Sequence, residues 1–351
     1  MKRRTCIAAA LLGTAAWARS TPQSLEAILE RWNDDEHRDL RAVVVARGGH
    51  VVAERYFAGA RPDTLHDIRS AGKSLTSLLV GAAVDRGAIA SVDDPVGRYW
   101  PRARGTAVGD VRISQLLTMR SGLAAWDDDP ASPGNEDRLD AAADPLAFML
   151  AVPSERMPGT VYRYNSLTAH LAGRLVEQAT GRDLESFASE VLFGPLGIRR
   201  WQWACDVSGH AKGQGNLSLT ARDLVRIGEM VRANGAFEGR EVLSASWIEQ
   251  STKTRVAIAD VDPYADGYGY FWYAKRLRVA DADVLVTFAS GNGGNKIYVV
   301  PSFGLVVAVT SAAYGHGYGQ RRSQAILQSL LAAQQLAGES RSPQGRHDQG
   351  T

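Results

Sequence analysis

Residues Ser70–Val80 read Ser-Ala-Gly-Lys-Ser-Leu-Thr-Ser-Leu-Leu-Val, and they begin a helical pattern that Gly87 is suited to end. Apolar residues cover most of the circumference of this helix, which is typical of a helix buried on all sides. Ser70 and Lys73 are three residues apart, so their side chains would be neighbours on one helical face. The sequence therefore predicts a buried helix that begins with a serine and a lysine in contact.

This pairing of residue types suits nucleophilic catalysis. A serine hydroxyl is a weak nucleophile until a base accepts its proton, and a lysine can be that base when burial lowers its pKa. The start of a helix adds a positive dipole end and a backbone N–H that can face an oxyanion. The alternative is structural, with Ser70 as a helix cap and Lys73 on the surface. We favour catalysis because this Ser-x-x-Lys, a weak signal by itself, opens a buried helix directly after a strand end at Asp67–Arg69, where a lysine would otherwise be expensive to bury.

Other chemistries lack their sequence patterns. The chain has neither Gly-x-Ser-x-Gly nor His-Glu-x-x-His, and we expect no metal and no cofactor. His66, His170 and His210 suit structural positions, whereas His316 lies in a Gly/Tyr-rich loop and is a candidate site residue. A formal net charge of +2 gives no electrostatic reason to expect nucleic acid as a partner.

Strand patterns occur at both ends of the chain. A hairpin is expected at 40–57 and three short β-rich runs at 284–310, while most patterns between them are helical. We therefore expect an α/β (α+β) fold with one antiparallel sheet made from both termini, at about 37–69 and 267–337. Helices would flank this sheet, and a helical region would be inserted at about 70–266.

The two ends of the chain carry signals of their own. Residues 1–18 combine a positive start, about twelve apolar residues and the site Ala16-Trp17-Ala18, which is typical of a secretory signal peptide. The alternative is a buried N-terminal helix. We expect one domain at 19–337 that is periplasmic or secreted, without stable membrane insertion, because no apolar run is long enough for a span. Residues 338–351 are polar and are expected to form a disordered tail.

Several segments, taken in their order along the sequence, resemble motifs of one known family. Ser70–Lys73 resembles the nucleophile motif of the serine β-lactamase and penicillin-binding-protein superfamily. Further segments are similar to its class C-like branch, which includes esterases and 6-aminohexanoate-dimer hydrolases, and these segments are Ser91–Val96, Ile113–Leu123, Pro158–Ser166 and Gly291–Pro301. The resemblance extends over residues 37–335 and implies a β-lactamase/transpeptidase-like fold.

The resemblance also implies roles for individual residues. Ser70 would be the acylated nucleophile and Lys73 its proton acceptor, while Tyr164 would move a proton between Ser70 and the leaving group. Whether the lysine or the tyrosinate is the base stays open. The backbone N–H groups of Ser70 and Asn292 would form an oxyanion hole. Candidate substrate-binding residues lie in the second and third motifs and in nearby loops, namely Ser166, Ser290, Gly291, Trp126 and His316.

Two positions depart from the family pattern. Ser166 stands where asparagine is more common, and a hydroxyl cannot replace both the donor and the acceptor of an amide. Ala289 stands where the third motif usually has a cation that faces a substrate carboxylate, which weakens the expectation of penicillins or peptidoglycan stems. The acidic run Asp127–Asp129 is expected to be a solvated loop or, alternatively, a rim that disfavours anionic substrates.

We therefore expect an exported serine hydrolase that cleaves an ester or small amide through a Ser70 acyl-enzyme. Its partner would be a small-molecule substrate, and the oligomeric state is not specified by the sequence. One alternative is a β-lactamase, D,D-peptidase or D-aminopeptidase with the same nucleophile. An alternative of another class is a noncatalytic ligand-binding module on the same fold.

Overall fold

The computed structural model describes residues 24–339. The expected signal peptide at 1–18 and the part of the expected tail after residue 339 lie outside this range, so both stay predictions. Within the range, no helix combines the length and the apolar composition that crossing a bilayer requires.

A large antiparallel sheet forms the centre of the structure. The strands of the described residues are β1 (Leu40–Arg47), β2 (His50–Tyr56), β3 (His66–Asp67), β4 (Gln202–Trp203), β5 (Leu217–Leu219), β6 (Ala236–Phe237), β7 (Arg240–Glu241), β8 (Val256–Ala257), β9 (Gly267–Tyr268), β10 (Tyr273–Val279), β11 (Ala282–Gly291), β12 (Asn295–Val300) and β13 (Leu305–Ser311). Eight of them form the large sheet, in the order β2-β1-β13-β12-β11-β10-β9-β8. Because β1 pairs directly with β13, the sheet contains both ends of the fold, which confirms the predicted fold class.

Helices pack around the sheet, and most of them lie in the sequence between its N-terminal and its C-terminal strands. Those of the described residues are α1 (Leu25–Glu30), α2 (Gly72–Asp85), α3 (Val96–Tyr99), α4 (Ala107–Asp110), α5 (Ile113–Leu117), α6 (Glu136–Asp140), α7 (Pro145–Ala151), α8 (Ser166–Thr180), α9 (Leu184–Ala188), α10 (Ala221–Arg232), α11 (Ala245–Thr252) and α12 (Tyr318–Glu339). Strands β3, β5 and β4 form a second small sheet, and β6 and β7 form a hairpin.

Both faces of the large sheet are covered. Side chains alternate along a strand, so Lys296 and Tyr298 of β12 point to the face opposite that of Ile297. Helices α1 and α12 pack on one side, where α12 borders a small cavity with Lys296 and Tyr298. Helix α10 packs on the other side, and a Cβ at its Gly228 would lie 3.0 Å from Ile297. The near-continuous apolar character of β12 and β13 follows from this two-sided burial.

Helix α2 is buried between the sheet and the helical region. It packs against α8 and α11 and against the end of β11. Most of its side chains are apolar or small, and a Cβ at Gly81 would lie 2.2 Å from the Trp247 ring, so only glycine allows this approach. A short 3₁₀ turn at Arg69–Ala71 leads from β3 into the helix.

The boundaries differ from the prediction in two places. Strand β8 belongs to the large sheet although it lies inside the range predicted to be helical, because a strand of two residues leaves no alternating pattern in the sequence. Helix α12 continues to Glu339, two residues into the segment expected to be a tail.

Candidate active site

Ser70 lies in the 3₁₀ turn at the start of α2, and backbone contacts fix this turn. The Ile68 N–H donates to the Leu217 carbonyl of β5 at 3.0 Å, and the Arg69 N–H donates to Asp67 Oδ1 at 2.8 Å. Arg69 has φ of +52°, a left-handed conformation that is costly for residues other than glycine and frequent at functional sites. The turn therefore holds Ser70 in one defined orientation.

Lys73 is buried beneath Ser70, with a relative exposure of 2%. Its Nζ lies 3.0 Å from Ser70 Oγ, 3.2 Å from Ser166 Oγ and 2.9 Å from the Gln214 backbone oxygen. Burying a lysine is unfavourable unless its amine is hydrogen-bonded, and here three oxygens surround it. The predicted contact between the serine and the lysine is present in the structure.

The three oxygens around Lys73 are chemically different. The Gln214 carbonyl can only accept, so one N–H of the amine must point towards it. A neutral amine has one more N–H, which Ser166 Oγ can accept, and its lone pair then faces the hydroxyl of Ser70. The geometry is therefore suited to removing the Ser70 proton. Sequence reasoning missed Gln214, because a backbone carbonyl contributes through its position and any residue type can provide it.

Tyr164 and Ser166 both lie beside this lysine. The Lys73 Nζ is 5.0 Å from the centre of the Tyr164 ring. Between the two, Asn165 caps helix α8, with its Oδ1 accepting from the Thr168 N–H at 2.7 Å. The cap fixes the start of α8, so Tyr164 is held just before the helix and Ser166 is its first residue.

Asp127 contacts the same helix start. Its Oδ2 accepts from the Ser166 backbone N–H at 2.7 Å, and no group in the described residues bonds its buried Oδ1. Burial raises the pKa of Asp127 to about 6, although the charge of Lys73 opposes this shift. Asp127 is thus a partly buried group beside the lysine, while the neighbouring Trp126 is 41% exposed with Arg163 over its ring.

The end of β11 forms the opposite wall. A Cβ at Gly291 would lie 2.0 Å from the Ile68 carbonyl oxygen and 3.0 Å from the Ala71 nitrogen, so the strand touches the turn that carries Ser70. Pairing with β10 ends at Phe288, and among the described residues nothing pairs with 289–291 on that side. Asn292 follows in the turn to β12, and its Oδ1 accepts from the Gly315 N–H at 2.7 Å. Its backbone N–H stays a predicted oxyanion donor.

Lys296 is a second buried lysine that sequence reasoning missed. It pairs with Ser290 across β11 and β12, and its Nζ lies 2.7 Å from Ser290 Oγ. Burial lowers the pKa of Lys296 to about 7, and the charge of Asp262 opposes this only in part. The third motif itself lacks a cation, as the sequence indicates, and the neighbouring strand places a buried amine against its serine. The sequence feature that indicates a buried Lys296 is its place at the start of a run of apolar strand residues.

One candidate is not brought to the lysine. His316 is exposed and stacks on Tyr318, with 5.3 Å between the ring centres. Within the described residues it makes no hydrogen bond or ring contact with Ser70, Lys73 or Tyr164. Its loop is nevertheless tied to the turn after β11 through Gly315. Among residues 24–339, no group of three or more His, Cys, Asp or Glu side chains is arranged to hold a metal ion.

Comparisons with known proteins give a consistent result. The sequence model of the family described as Beta-lactamase matches residues 25–331. A 6-aminohexanoate-dimer hydrolase of Paenarthrobacter ureafaciens is 32% identical over 262 residues, which are 68% of this chain and 66% of that protein. Esterase EstB of Burkholderia gladioli is 31% identical over 201 residues, 50% of this chain and 51% of the esterase. The chain thus spans about two thirds of the first curated relative and about half of the second.

A solved structure supports the fold. The class C beta lactamase from Rhodobacter sphaeroides superposes with a TM-score of 0.64, covering 86% of this chain and 97% of that one. The sequences are 18% identical, so this likeness concerns the fold alone.

Proposed function

Because this chain belongs to the beta-lactamase family, we propose that it is a serine hydrolase that cleaves an ester or a small amide through a Ser70 acyl-enzyme. The observation that carries the proposal is the buried Lys73 amine, 3.0 Å from Ser70 Oγ. This distance is within the range required for direct proton transfer between a nucleophile and its base.

The reaction would proceed in two halves. Ser70 Oγ attacks the substrate carbonyl carbon while its proton passes to Lys73 Nζ or to the Tyr164 phenolate. The proton then goes to the leaving alcohol or amine, which departs and leaves an ester on Ser70. A water molecule attacks this ester in the second half, and the acid product is released as the Ser70 hydroxyl forms again. The Lys73 Nζ lies 5.0 Å from the centre of the Tyr164 ring, and we propose that these two residues act as one coupled proton-transfer pair.

The negative charge of each tetrahedral intermediate needs donors. We propose the backbone N–H groups of Ser70 and Asn292 for this role, since the β11 end that leads to Asn292 contacts the Ser70 turn. Removal of one such donor typically slows turnover by about 10²–10³-fold. The unpaired edge at 289–291 would let a short extended substrate lie alongside the strand.

The substrate class follows from the relatives and from the cleft. Two of the curated relatives are named a 6-aminohexanoate-dimer hydrolase and an esterase, so we propose small esters and amides as substrates. One observation favours a second candidate, a β-lactamase or D,D-peptidase. The Lys296 Nζ lies 2.7 Å from Ser290 Oγ, so the protonated form of this amine would place a positive charge behind the third motif, where a substrate carboxylate binds in that candidate function. A comparison of turnover rates on ester and β-lactam substrates distinguishes these two candidate functions.

A noncatalytic binding module accounts less well for the site. Such a module gains nothing from burying Lys73 against three oxygens, and a buried amine is expensive to maintain. We also propose export through the N-terminal segment at 1–18, on the sequence pattern of that segment.

The test is a substrate panel with matched variants. Rates on p-nitrophenyl esters, anilides, nitrocefin and a D-Ala-D-Ala peptide would be measured for wild type, Ser70→Ala, Lys73→Ala and Tyr164→Phe. Intact mass after a fluorophosphonate would identify the labelled residue. We expect ester turnover in wild type, none in Ser70→Ala, and losses of about 10²–10⁴-fold in the other two.

The matched control is Ser77→Ala. Ser77 lies on the same helix, is buried, and its hydroxyl has no partner in the described residues, so its removal should leave turnover unchanged. Ester hydrolysis that survives Ser70→Ala would refute the proposal. Nitrocefin turnover that rivals the best ester would replace it with the second candidate.

A further inference from the structure

We infer that His170 is a positioning residue for Lys73 and that it acts through the side chain of Gln214. The inference rests on the proposed function, since it concerns how Ser70 is activated. His170 is 1% exposed on helix α8, and Gln214 is 2% exposed. The His170 Nδ1 lies 2.6 Å from Gln214 Oε1, and the Gln214 backbone oxygen lies 2.9 Å from Lys73 Nζ.

These contacts form one continuous chain of polar groups. Asp206 Oδ2 lies 3.4 Å from the other ring nitrogen of His170, Nε2, which is within ion-pair distance, although Nε2 makes no hydrogen bond with any of the described residues. Burial alone would raise the pKa of Asp206, but contacts with His170 and with two backbone N–H groups hold it well below its usual range. Asp206 is therefore an anion behind the imidazole. The chain Asp206–His170–Gln214–Lys73 ends at the Ser70 hydroxyl.

The backbone around Gln214 explains why its side chain needs an anchor. Gly213 and Gly215 flank it, and both pass close to other backbone. A Cβ at Gly213 would lie 2.8 Å from the Ala169 oxygen, and one at Gly215 would lie 2.5 Å from the Arg69 oxygen. Glycine is thus required on both sides, so neither neighbour has a side chain that could anchor this segment. The Gly215 N–H donates to the Lys212 carbonyl at 3.1 Å and holds the peptide plane of the Gln214 carbonyl on one side, and the Gln214 side chain is the one side chain of the tripeptide that adds a second anchor.

Helix α8 contacts Lys73 directly and also through Gln214. Ser166 and His170 are four residues apart and lie on one helical face. Ser166 contacts Lys73 directly at 3.2 Å, and His170 contacts it through Gln214. A Gln amide can present its oxygen to a protonated ring nitrogen or, after a half-turn, its nitrogen to an unprotonated one. The contact between His170 and Gln214 is therefore possible with either tautomer of the imidazole.

The direct test measures the reactivity of Ser70 itself. The second-order rate of Ser70 labelling by a fluorophosphonate would be followed by intact mass in wild type, His170→Phe, His170→Asn and Gln214→Leu. Misplacing a catalytic group by about 1 Å costs about 10²-fold, so we expect about 10-fold to 100-fold slower labelling in His170→Phe and Gln214→Leu. His170→Asn keeps an amide nitrogen near the Nδ1 position and should recover most of the loss.

Steady-state kinetics and a double variant separate positioning from general damage. On a p-nitrophenyl ester, kcat should fall while KM stays within about 2-fold of wild type, because the substrate does not touch His170. The double variant His170→Phe/Gln214→Leu should lose no more than the worse single variant, because both break the same chain. The matched control is His210→Gln, from the loop that carries Asp206, which should label at the wild-type rate.

The outcomes are distinguishable. Wild-type labelling rates in both His170→Phe and Gln214→Leu, with only a lower melting temperature, would overturn the positioning role and leave the proposed function intact. If His170→Phe does not fold, His170→Asn and Gln214→Leu decide the question through the same labelling rates. A wild-type protein that is not labelled at Ser70 would overturn the proposed function, and this inference with it.

Discussion

Replacing Lys296 by methionine tests whether a neutral amine is buried in the sheet. Lys296 is 2% exposed, and its nearest polar contact is Ser290 Oγ. Its pKa is lowered to about 7 in the folded protein, against 10.5 for an ordinary lysine. Between these two pH values the unfolded chain binds a proton that the folded protein does not. Stability contributed by this group therefore rises with pH in this window and falls as the pH approaches 7.

The magnitude follows from the two pKa values. Keeping the Lys296 amine in its folded site costs about 4 kcal/mol near pH 7 and about 2 kcal/mol near pH 9, relative to a lysine in water. Methionine has a similar length and no charge, so it lacks this pH-dependent cost. We therefore expect the stability difference between Lys296→Met and wild type to shift by about 2 kcal/mol between the two pH values, against the variant as pH rises.

Urea unfolding at both pH values provides the measurement. The difference between variant and wild type removes the titration of all other groups, and equal slopes with urea show that both unfold alike. Lys253→Met is the matched control, because Lys253 is exposed and its replacement should change stability equally at both pH values. A Lys296→Met difference that does not change with pH would refute the reasoning.

Three further substitutions test other parts of the site. Asp127→Asn should raise turnover of an anionic ester relative to a neutral one by about 2-fold to 5-fold near pH 8 but not near pH 5, because the Asp127 carboxyl has a pKa of about 6. An equal ratio of kcat/KM values at both pH values would contradict this. Gly291→Ala should lower the free energy of unfolding by about 1–3 kcal/mol and slow Ser70 labelling, since its Cβ would meet the Ile68 carbonyl oxygen at 2.0 Å. Urea unfolding and intact mass measure these effects, and wild-type values for both would exclude the clash. Ser166→Ala should slow Ser70 labelling about 3-fold to 10-fold, because one hydrogen bond to Lys73 is lost; unchanged labelling would exclude that role.

The sequence predicts the parts of this fold that have a regular pattern. The hairpin of β1 and β2 is identified by two Val-rich runs joined through Gly-Gly, and β12 and β13 are identified by short apolar, β-rich runs bounded by turn residues. The two-residue strands β8 and β9 do not, because so few residues carry no periodicity. Strand β9 takes its place by pairing with β10, and β8 takes its place by pairing with β9, and no local pattern encodes either pairing.

The residues of the candidate site are likewise of two kinds: some have contacts that local spacing predicts, and others meet only in the tertiary structure. Ser70 and Lys73 are three residues apart, so helix geometry alone predicts their contact, and the structure has it at 3.0 Å. Gln214 and Lys296 contribute through the tertiary structure. Gln214 is 141 residues from Lys73 in the chain, and Lys296 reaches Ser290 only because β11 and β12 pair in one register. Spacing in the sequence cannot show contacts of these two kinds.

The two buried lysines also bear on what the cleft is for. Within the described residues, neither Lys73 nor Lys296 has a carboxylate within 4.0 Å, and each amine contacts a serine hydroxyl instead. Burying an amine is unfavourable, and a core that served stability alone would be better filled by an apolar side chain. Asp127 and Asp262 act on these lysines only through charge at longer range, and burial lowers the pKa of Lys296 to about 7, which favours the neutral form that can accept a proton. If Lys296→Met gains stability and loses only the turnover of carboxylate-bearing substrates, Lys296 serves recognition; if it loses turnover of neutral esters as well, Lys296 takes part in the proton transfers at Ser70.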